Sequence, residues 1–195
     1  MTLYPLLSQQ ETITNQQHIY PPNIVNQYKL QVDLSNQNSW QYKLEDVPLL
    51  EFMETQVINS WAPFILIQQL KDSMIKTSEK KFIVNVSSPE GQFNRMYKSK
   101  IHPHTNMSKA ALNMLTKTSG VDLAKNYNIF MTAVDAGWAS NDMLPVNFLH
   151  QSYYNTIPID EWDGAFRVLD PVFEGIQSEK PYFGVFLQNY KIAEW

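Results

Sequence analysis

Long stretches with helical periodicity alternate with short runs of β-branched and aromatic residues, and this alternation limits the possible folds more than any other feature of the sequence. The helical stretches cover residues 44–75, 106–126 and 159–176, and the strand-like runs cover residues 80–88, 129–134 and 182–187. Helices that alternate with buried strands are typical of a parallel sheet, because each strand regains its direction only after a crossover. The sequence therefore predicts an α/β fold, with a parallel sheet of about three strands flanked by long helices.

The first helical stretch contains a proline in its middle. Pro63 has no backbone N–H and its ring disturbs the preceding turn, so a helix that passes through this position is expected to bend. We therefore expect a kink, or a break into two segments, between Ser60 and Ala62.

A parallel sheet of only three strands leaves one of its strands at an edge. Parallel strands are usually buried on both faces and have neighbours, so Phe82, Val84 and Val86 would lie beside an open edge. We expect this edge to be covered by the amino-terminal arm of the chain, by a partner chain, or by a portion of protein that this sequence does not contain.

The amino-terminal part of the chain differs in composition from the rest. Residues 1–42 are rich in Asn and Gln, contain Pro21-Pro22 and lack a long apolar periodicity. Such a composition is typical of irregular structure. We therefore predict an irregular arm over residues 1–42 and a partial α/β domain over residues 43–195.

Charge and composition exclude several classes of partner and site. Fifteen Lys and Arg against nineteen Asp and Glu give a net charge of -4, so neither nucleic acid nor an anionic membrane surface is an expected partner. The absence of cysteine excludes disulfides and Cys-based zinc sites, and His102 and His104 have no third ligand nearby in sequence, so we predict no metal. No apolar run is long enough to span a membrane and no basic segment followed by an apolar run opens the chain, so we expect a cytoplasmic protein.

The positions of the glycines restrict nucleotide binding. All six glycines lie at or beyond Gly91. Phosphate-binding loops need several glycines close together, because the backbone must turn tightly and approach the phosphate without a Cβ atom in between. The first ninety residues therefore contain no such loop.

Several residues, taken together and in order, resemble a known enzyme family. Lys109 follows Thr105 by one helical turn, Ser87-Ser88 ends the strand IVNVSS, Asn59 lies in TQVINSWAPF, and Gly137 lies in AVDAGW. This combination resembles the short-chain dehydrogenase/reductase family from about Asp33 to the end of the chain. A subgroup with an HPHTNM-type segment is the most similar, through DLSNQNSW (residues 33–40) and DGAFRVLDP (residues 163–171). The resemblance implies a partial Rossmann-like sheet.

The resemblance also implies a set of catalytic positions. The family builds its site from an Asn, a Ser and a Tyr with a Lys four residues later, and the matching residues here are Asn59, Ser88, Thr105 and Lys109. Thr105 therefore stands where the family has tyrosine. An aliphatic hydroxyl is far too weak an acid to replace a phenol whose pKa a lysine lowers from about 10. His102, His104 or Tyr97 could take over as acid or base, since loop residues near the strand end can reach the same space.

Each of these residues also has a structural interpretation. Lys109 could pair with an acid or extend its amine to solvent at the start of a helix. Thr105 could cap that helix, and Ser88 could bond to loop backbone. Asn59 could act at the kink that Pro63 produces.

The cofactor implied by the resemblance is NAD(P). The matching residues would be Ser87, Lys109, Asp135 and Gly137, around the turn Asp135–Trp138. In the family the Gly-rich turn and the ribose-binding acid precede the region that matches here, so we expect the sequence to begin after the fourth strand of the family fold.

Two functions of different classes follow from these observations. The first is an NAD(P)-dependent oxidoreductase relative that is degenerate, because it lacks the Gly-rich cofactor half and the catalytic tyrosine. The second is a non-catalytic interaction module that forms a homodimer, or a heterodimer with a full-length relative, through the two long helices. A third interpretation is an incomplete gene product of a full-length oxidoreductase of this family.

Overall fold

The computed structural model describes residues 18–25, 31, 34–35, 38–138 and 159–195, so much of the predicted arm and the segment 139–158 lie outside the described residues. The helices are α1 (Leu49–Gln56), α2 (Ala62–Met74), α3 (Pro103–Tyr127) and α4 (Glu161–Gln177). The strands are β1 (Lys81–Ser87), β2 (Ile129–Asp135), β3 (Phe186–Gln188) and β4 (Lys191–Ala193). The predicted alternation of helices and strands is confirmed.

The strands form one sheet in the order β1-β2-β3-β4. β1 and β2 pair in parallel over their whole length, from Lys81 opposite Ile129 to Ser87 opposite Asp135. β3 adds to β2 in parallel, and β4 turns back antiparallel to β3. The predicted parallel sheet of about three strands is thus confirmed as β1, β2 and β3, and β4 adds a fourth, antiparallel strand that the sequence did not indicate.

The missed fourth strand follows a two-residue hairpin turn. Asn189 and Tyr190 adopt left-handed backbone conformations with φ of 50° and 63°, which is the geometry of the turns that join twisted antiparallel strands. Tyrosine rarely adopts positive φ. The sequence therefore carried no usual hairpin signal at this position.

β1 is an edge strand, as its sequence predicts. The backbone N–H of Lys81 donates to Asn128 O at 3.1 Å, towards β2. Because N–H and C=O groups alternate direction along a strand, Phe82, Val84 and Val86 direct theirs away from β2. In the part of the chain that the structure describes, no strand pairs with these three residues.

A widened turn joins α1 to α2 at the place where a kink is expected. Residues Val57–Trp61 form a π-helical turn, in which the N–H of Ala62 donates to Val57 O. Pro63, which follows, cannot donate a backbone hydrogen bond, so the helix inserts an extra residue per turn before it. A π turn therefore interrupts the regular α-helix just before the place where a kink or a break is expected.

The buried face of α3 is largely polar. It consists of His104, Ser108, Leu112, Asn113, Thr116, Gly120 and Leu123. Two hydrogen bonds tie this face to β1: Asn85 Nδ2 donates to Thr116 Oγ1 at 2.9 Å, and Ser87 Oγ donates to Asn113 Oδ1 at 2.5 Å. None of the helices in the described ranges is long and apolar enough to cross a membrane.

The apolar side of α3 that the sequence shows is not its buried side. Met107 and Met114 are more than half exposed, and Val121 is 44% exposed. Ala111 and Leu115 on this helix lie next to Trp61 of the π turn and Phe64 of α2, which are exposed as well. The helices therefore share an apolar surface that the described residues leave open to solvent.

The core lies between the sheet and the pair α2 and α3. Leu123, Ile129 and Met131 are buried, and Ile67 and Ile83 pack against them. On the other face of the sheet, α4 approaches β1 so closely that a Cβ atom on Gly175 would lie 2.2 Å from the ring of Phe82. The sheet therefore has helices on both faces, as expected for parallel strands.

Close backbone contact at Gly120 yields a first prediction. A Cβ atom there would lie 2.7 Å from Gly184 Cα and 3.3 Å from Met131 O. Since backbone cannot move aside as a flexible side chain does, Gly120→Ala should lower the free energy of unfolding by about 1–3 kcal/mol, although alanine is the better helix former. Urea denaturation measures this change.

The exposed Thr118→Ala on the same helix is the control and should change stability by less than about 0.5 kcal/mol. An unchanged or raised stability of Gly120→Ala would show that α3 does not approach β3 as closely as described.

Candidate functional site

The carboxyl ends of β1 and β2 bring together residues that are far apart in the sequence. Because the two strands are parallel and paired throughout, Ser87 and Asp135 end side by side. The first turns of α3, which carry Thr105 and Lys109, lie beside the end of β1. In open α/β sheets, sites form at this end of the strands, so the structure supports this edge as the candidate site.

Lys109 is held by the edge strand. Its Nζ donates a hydrogen bond to the carbonyl oxygen of Val86 at 3.0 Å. This carbonyl is one of those that point away from β2. Burial lowers the pKa of Lys109, and the nearby carboxylate of Glu90 opposes this change in part. Within the part of the chain that the structure describes, Lys109 therefore binds a backbone carbonyl and forms no ion pair.

Thr105 lies inside α3 and does not cap it. The helix begins at Pro103, and its cap residue is His102, with φ of 44°. The carbonyl of Thr105 accepts a hydrogen bond from Ser108 Oγ at 2.8 Å. Since Thr105 and Lys109 are four residues apart in a helix, they share one face, and the sequence-based interpretation of Thr105 as a helix cap is wrong.

Asn59 and Lys109 line the same cavity. It has a volume of about 550 Å³ and lies between α2 and the free edge of β1. Asn59 is in the π turn, where its Nδ2 donates to Thr55 O at 3.2 Å. The structure therefore brings Asn59 and Lys109 together, while Ser88 and Thr105 do not line this cavity.

Ser88 begins the short turn Pro89–Gly91 that follows β1. Its carbonyl accepts the N–H of Gly91 at 3.1 Å, and its backbone is extended. This contact is made by the backbone of Ser88, so the interpretation that its side chain bonds to loop backbone stays a prediction. The catalytic assignment of Asn59, Ser88, Thr105 and Lys109 stays a prediction.

The polar groups expected to hold the cofactor are engaged within the protein. Ser87 is 4% exposed, and its hydroxyl donates to Asn113. Both carboxylate oxygens of Asp135 accept hydrogen bonds at 2.8 Å, one from the N–H of Gly137 and one from Gln188 Nε2. These side chains therefore each have a hydrogen-bond partner within the protein, at the ends of the strands.

The glycines are likewise used for packing. A Cβ atom on Gly91 would lie 2.7 Å from Asn113 Nδ2 and from the backbone of Lys109, and one on Gly137 would lie 2.6 Å from the side chain of Ile159. The space beside these glycines is filled by the protein itself, so none of them leaves room for a phosphate. The residues that the structure describes do not fit a dinucleotide.

The two histidines and Tyr97, which the sequence offers as substitutes for the phenol, lie outside the cavity of Lys109. His102 is buried, with its Nδ1 3.1 Å from Asn106 Oδ1 and its ring against Trp40. His104 is 2% exposed and lines a second cavity, and Tyr97 is 80% exposed. None of the three lines the cavity of Lys109. The described residues contain no group of three metal-binding side chains.

Sequence reasoning missed the buried roles of Asn113 and His104. Both residues have polar neighbours in the sequence, so no local pattern indicated that they are buried. Asn113 and Thr116 follow the same helical face, opposite the polar strand positions Asn85 and Ser87. This match of polar positions on consecutive elements was the available signal for Asn113.

Comparison with known proteins supports the fold. The structure matches the carbonyl reductase Sniffer of D. melanogaster with a TM-score of 0.61 and 20% identity, over 83% of this chain and 64% of that chain. It matches the NADPH-bound carbonyl reductase from chicken fatty liver with a TM-score of 0.55 and 23% identity, over 83% of this chain and 64% of that one.

Sequence comparison adds one relative and no family model. No protein-family model matches the chain. An uncharacterized protein, R665 of Acanthamoeba polyphaga mimivirus, is 27% identical over 167 residues, which cover 79% of this chain and 35% of that protein. The chain thus spans less than two thirds of the two carbonyl reductases and about a third of the viral protein. What these similarities establish is the fold, with its Rossmann-like, mostly parallel sheet.

The environment of Lys109 yields a second prediction. Because burial lowers its pKa from 10.5, the amine should titrate at a lower pH in the folded chain than in the urea-unfolded chain. The unfolded state then binds more protons, so Lys109 adds to the free energy of unfolding as pH rises from its folded pKa to its unfolded pKa. NMR of the 13C-methylated lysines measures both titrations.

Glu90→Gln should lower the folded pKa of Lys109 further, because Glu90 favours the charged amine. Glu79→Gln, at an exposed position, is the control. Identical titration of Lys109 in folded and unfolded chains would contradict the described burial.

Proposed function

We propose that the chain is a degenerate relative of the short-chain dehydrogenase/reductases, which retains part of the reaction side of an NAD(P)-dependent oxidoreductase and does not itself transfer hydride. The fold that it shares with carbonyl reductases supports the relationship. The single observation that carries the proposal is the state of the candidate site. Lys109 stands one turn after a threonine and binds the carbonyl of Val86.

The chemistry of the site argues against proton transfer by the usual route. A lysine ammonium can lower the pKa of a phenol towards neutrality, but it cannot bring an aliphatic hydroxyl such as that of Thr105 into that range. The amine of Lys109 can still orient a polar group in the cavity that it shares with Asn59. The face of α3 that carries Thr105 and Lys109 therefore offers a hydrogen-bond donor but no suitable acid.

Cofactor binding is the second step that we propose to be lost. The chicken carbonyl reductase is NADPH-bound, and NAD(P) is the cofactor that the resemblance implies here. The side chains of Ser87 and Asp135 are engaged by Asn113, Gly137 and Gln188. A dinucleotide that needed the Ser87 proton as a donor would compete with Asn113 for it.

The loss of coenzyme binding is tested by calorimetry, and the loss of proton transfer is tested by an activity assay. Titration of the chain with NADPH or NADH should give no saturable heat, and the chain should not reduce a ketone with either coenzyme. Thr105→Tyr restores a phenol one turn before Lys109 but adds no contact for the nucleotide. This variant should therefore remain without binding and without turnover.

Turnover by the unmodified chain would contradict the loss of the acid, and micromolar binding of coenzyme would contradict the loss of the cofactor site. If Thr105→Tyr alone gained turnover, only the missing phenol would have separated this chain from an active enzyme.

A specific observation favours a second function, that of an interaction module. Trp61, Phe64 and Ile65 are each more than half exposed, and with Ala111 and Leu115 of α3 they line an open groove of about 390 Å³. Contiguous exposed apolar patches on a folded protein mark interaction sites. We propose that the chain pairs through this surface of the π turn, α2 and α3, with itself or with a full-length relative.

Mass in solution tests this pairing. Sedimentation of the chain alone should give twice the monomer mass, and Trp61→Glu should restore the monomer because it places a charge in the centre of the groove. Ile176→Glu, a matched change on the exposed face of α4, is the control and should leave the dimer intact. A monomeric unmodified chain would exclude self-pairing, and a dimer that Trp61→Glu does not affect would place the interface elsewhere.

A further inference from the structure

The outer face of α4 carries large apolar side chains that the described residues leave open to solvent. Five of them, each between 43% and 68% exposed, form what we call the α4 stripe: Trp162, Phe166, Leu169, Phe173 and Ile176. The buried residues of the same helix are compact instead, namely Gly164, Pro171 and Gly175. The helix therefore packs against its own sheet through compact residues and directs its large ones outwards.

The α4 stripe has the spacing of a seam between two helices. Its members follow one another at intervals of four, three, four and three residues, which is the heptad pattern of apolar positions in a coiled coil. Such a row packs against a second helix, because the side chains of one helix fit between those of the other. The spacing thus favours a helix, rather than a strand or a small molecule, as the occupant of this face.

The stripe is large enough for a specific complex of modest affinity. A fully exposed large side chain offers roughly 150–250 Å², and about half of each member is exposed. The five side chains therefore offer on the order of 500 Å², and a helix that covers them contributes a similar area. A total of about 1,000 Å² is near the lower limit of specific interfaces.

One flank of the stripe is acidic. Asp170 and Glu174 lie one turn apart on this flank, and neither forms an ion pair with another described residue. Burial raises the pKa of Asp170, and the nearby carboxylate of Glu174 raises it further. Arg167 is the one basic residue within α4, and its guanidinium is engaged by Asp163 and Asn189. A cation supplied by a partner would therefore relieve the repulsion between Asp170 and Glu174.

Charge distinguishes a basic helix from the other possible occupants. A second copy of α4 would bring two more carboxylates to the interface and no unpaired cation. Residues 139–158 of this chain contain no Lys or Arg, so they cannot neutralise the acidic flank. Helices that lie on anionic membranes carry Lys and Arg beside their apolar face, and this flank has the opposite sign.

We propose that the outer face of α4 binds an amphipathic helix of a partner protein, which places aliphatic residues against the α4 stripe and Lys or Arg against Asp170 and Glu174. This surface and the groove at Trp61 belong to helices on opposite faces of the sheet. The binding therefore does not depend on the pairing proposed above or on any coenzyme.

A synthetic helix tests this recognition. The probe is a peptide of about 18 residues, five helical turns, with leucine at the heptad seam positions, lysine beside them and alanine elsewhere. In NMR titrations of the full chain, it should shift the indole signal of Trp162 in a saturable manner and leave that of Trp61 unchanged. The same peptide with glutamate in place of lysine should bind about tenfold more weakly at low salt, because it meets like charge.

Matched variants locate the contact. Phe173→Glu places a charge within the α4 stripe and should weaken binding of the lysine peptide at least tenfold, whereas Trp61→Glu should leave it unchanged. The exposed fractions of both residues predict that these variants fold. Asp170→Asn combined with Glu174→Gln should weaken binding about fivefold at low salt. Glu161→Gln, on the other flank of the stripe, should change binding less than twofold.

Four results would overturn the proposal. The first two are the absence of a saturable shift at Trp162, and equal binding of the lysine and glutamate peptides. The third is dissociation of the chain by Ile176→Glu in sedimentation, which would place a second copy on the stripe. The fourth is slow solvent exchange of the Trp162 indole proton in the free chain, which would mean that the chain itself covers the stripe.

Discussion

The in-register parallel pairing of β1 with β2 determines where the strand ends, the helix α3 and Lys109 lie. Because the two strands run in parallel and pair from their first residue to their last, Ser87 and Asp135 end at the same level. The connection between them must cross over the sheet, and α3 makes that crossing. Its first turns therefore lie beside the end of β1, which is why Lys109 reaches the carbonyl of Val86.

A polar seam between β1 and α3 then sets the rotation of the helix. The pairs Asn85–Thr116 and Ser87–Asn113 are buried, and a buried polar group is costly unless its partner is in place. These two pairs turn the apolar side of α3 outwards, towards Trp61 and its neighbours. The same seam holds the hydroxyl of Ser87, a residue that the family resemblance assigns to the cofactor.

The free edge of β1 and the exposed helix surface are the features on which the two proposed functions depend. Phe82, Val84 and Val86 direct their backbone groups away from the sheet, and Lys109 satisfies one of them. The chain spans less than two thirds of the carbonyl reductases that share its fold. Lys109 binds a carbonyl at the sheet edge, and the apolar surface of the helices is open to solvent among the described residues. Both features support the proposal that the protein acts through contact more than through hydride transfer.

The sequence by itself determined the long helices, the three parallel strands and their order. Hydrophobic periodicities of 2 and 3.6 residues locate the strands and the helices, and Pro63 locates the π turn. The alternation of helices with short β-branched runs favours a parallel sheet. Each of these signals is local in the sequence or depends only on which residues are buried. Rotation of α3, the hairpin at Asn189 and Tyr190, and the burial of His104 beside Glu51 were decided by the tertiary structure. Each of these depends on which side chain of a distant element lies opposite, and hydrophobic periodicity contains no information about such pairs.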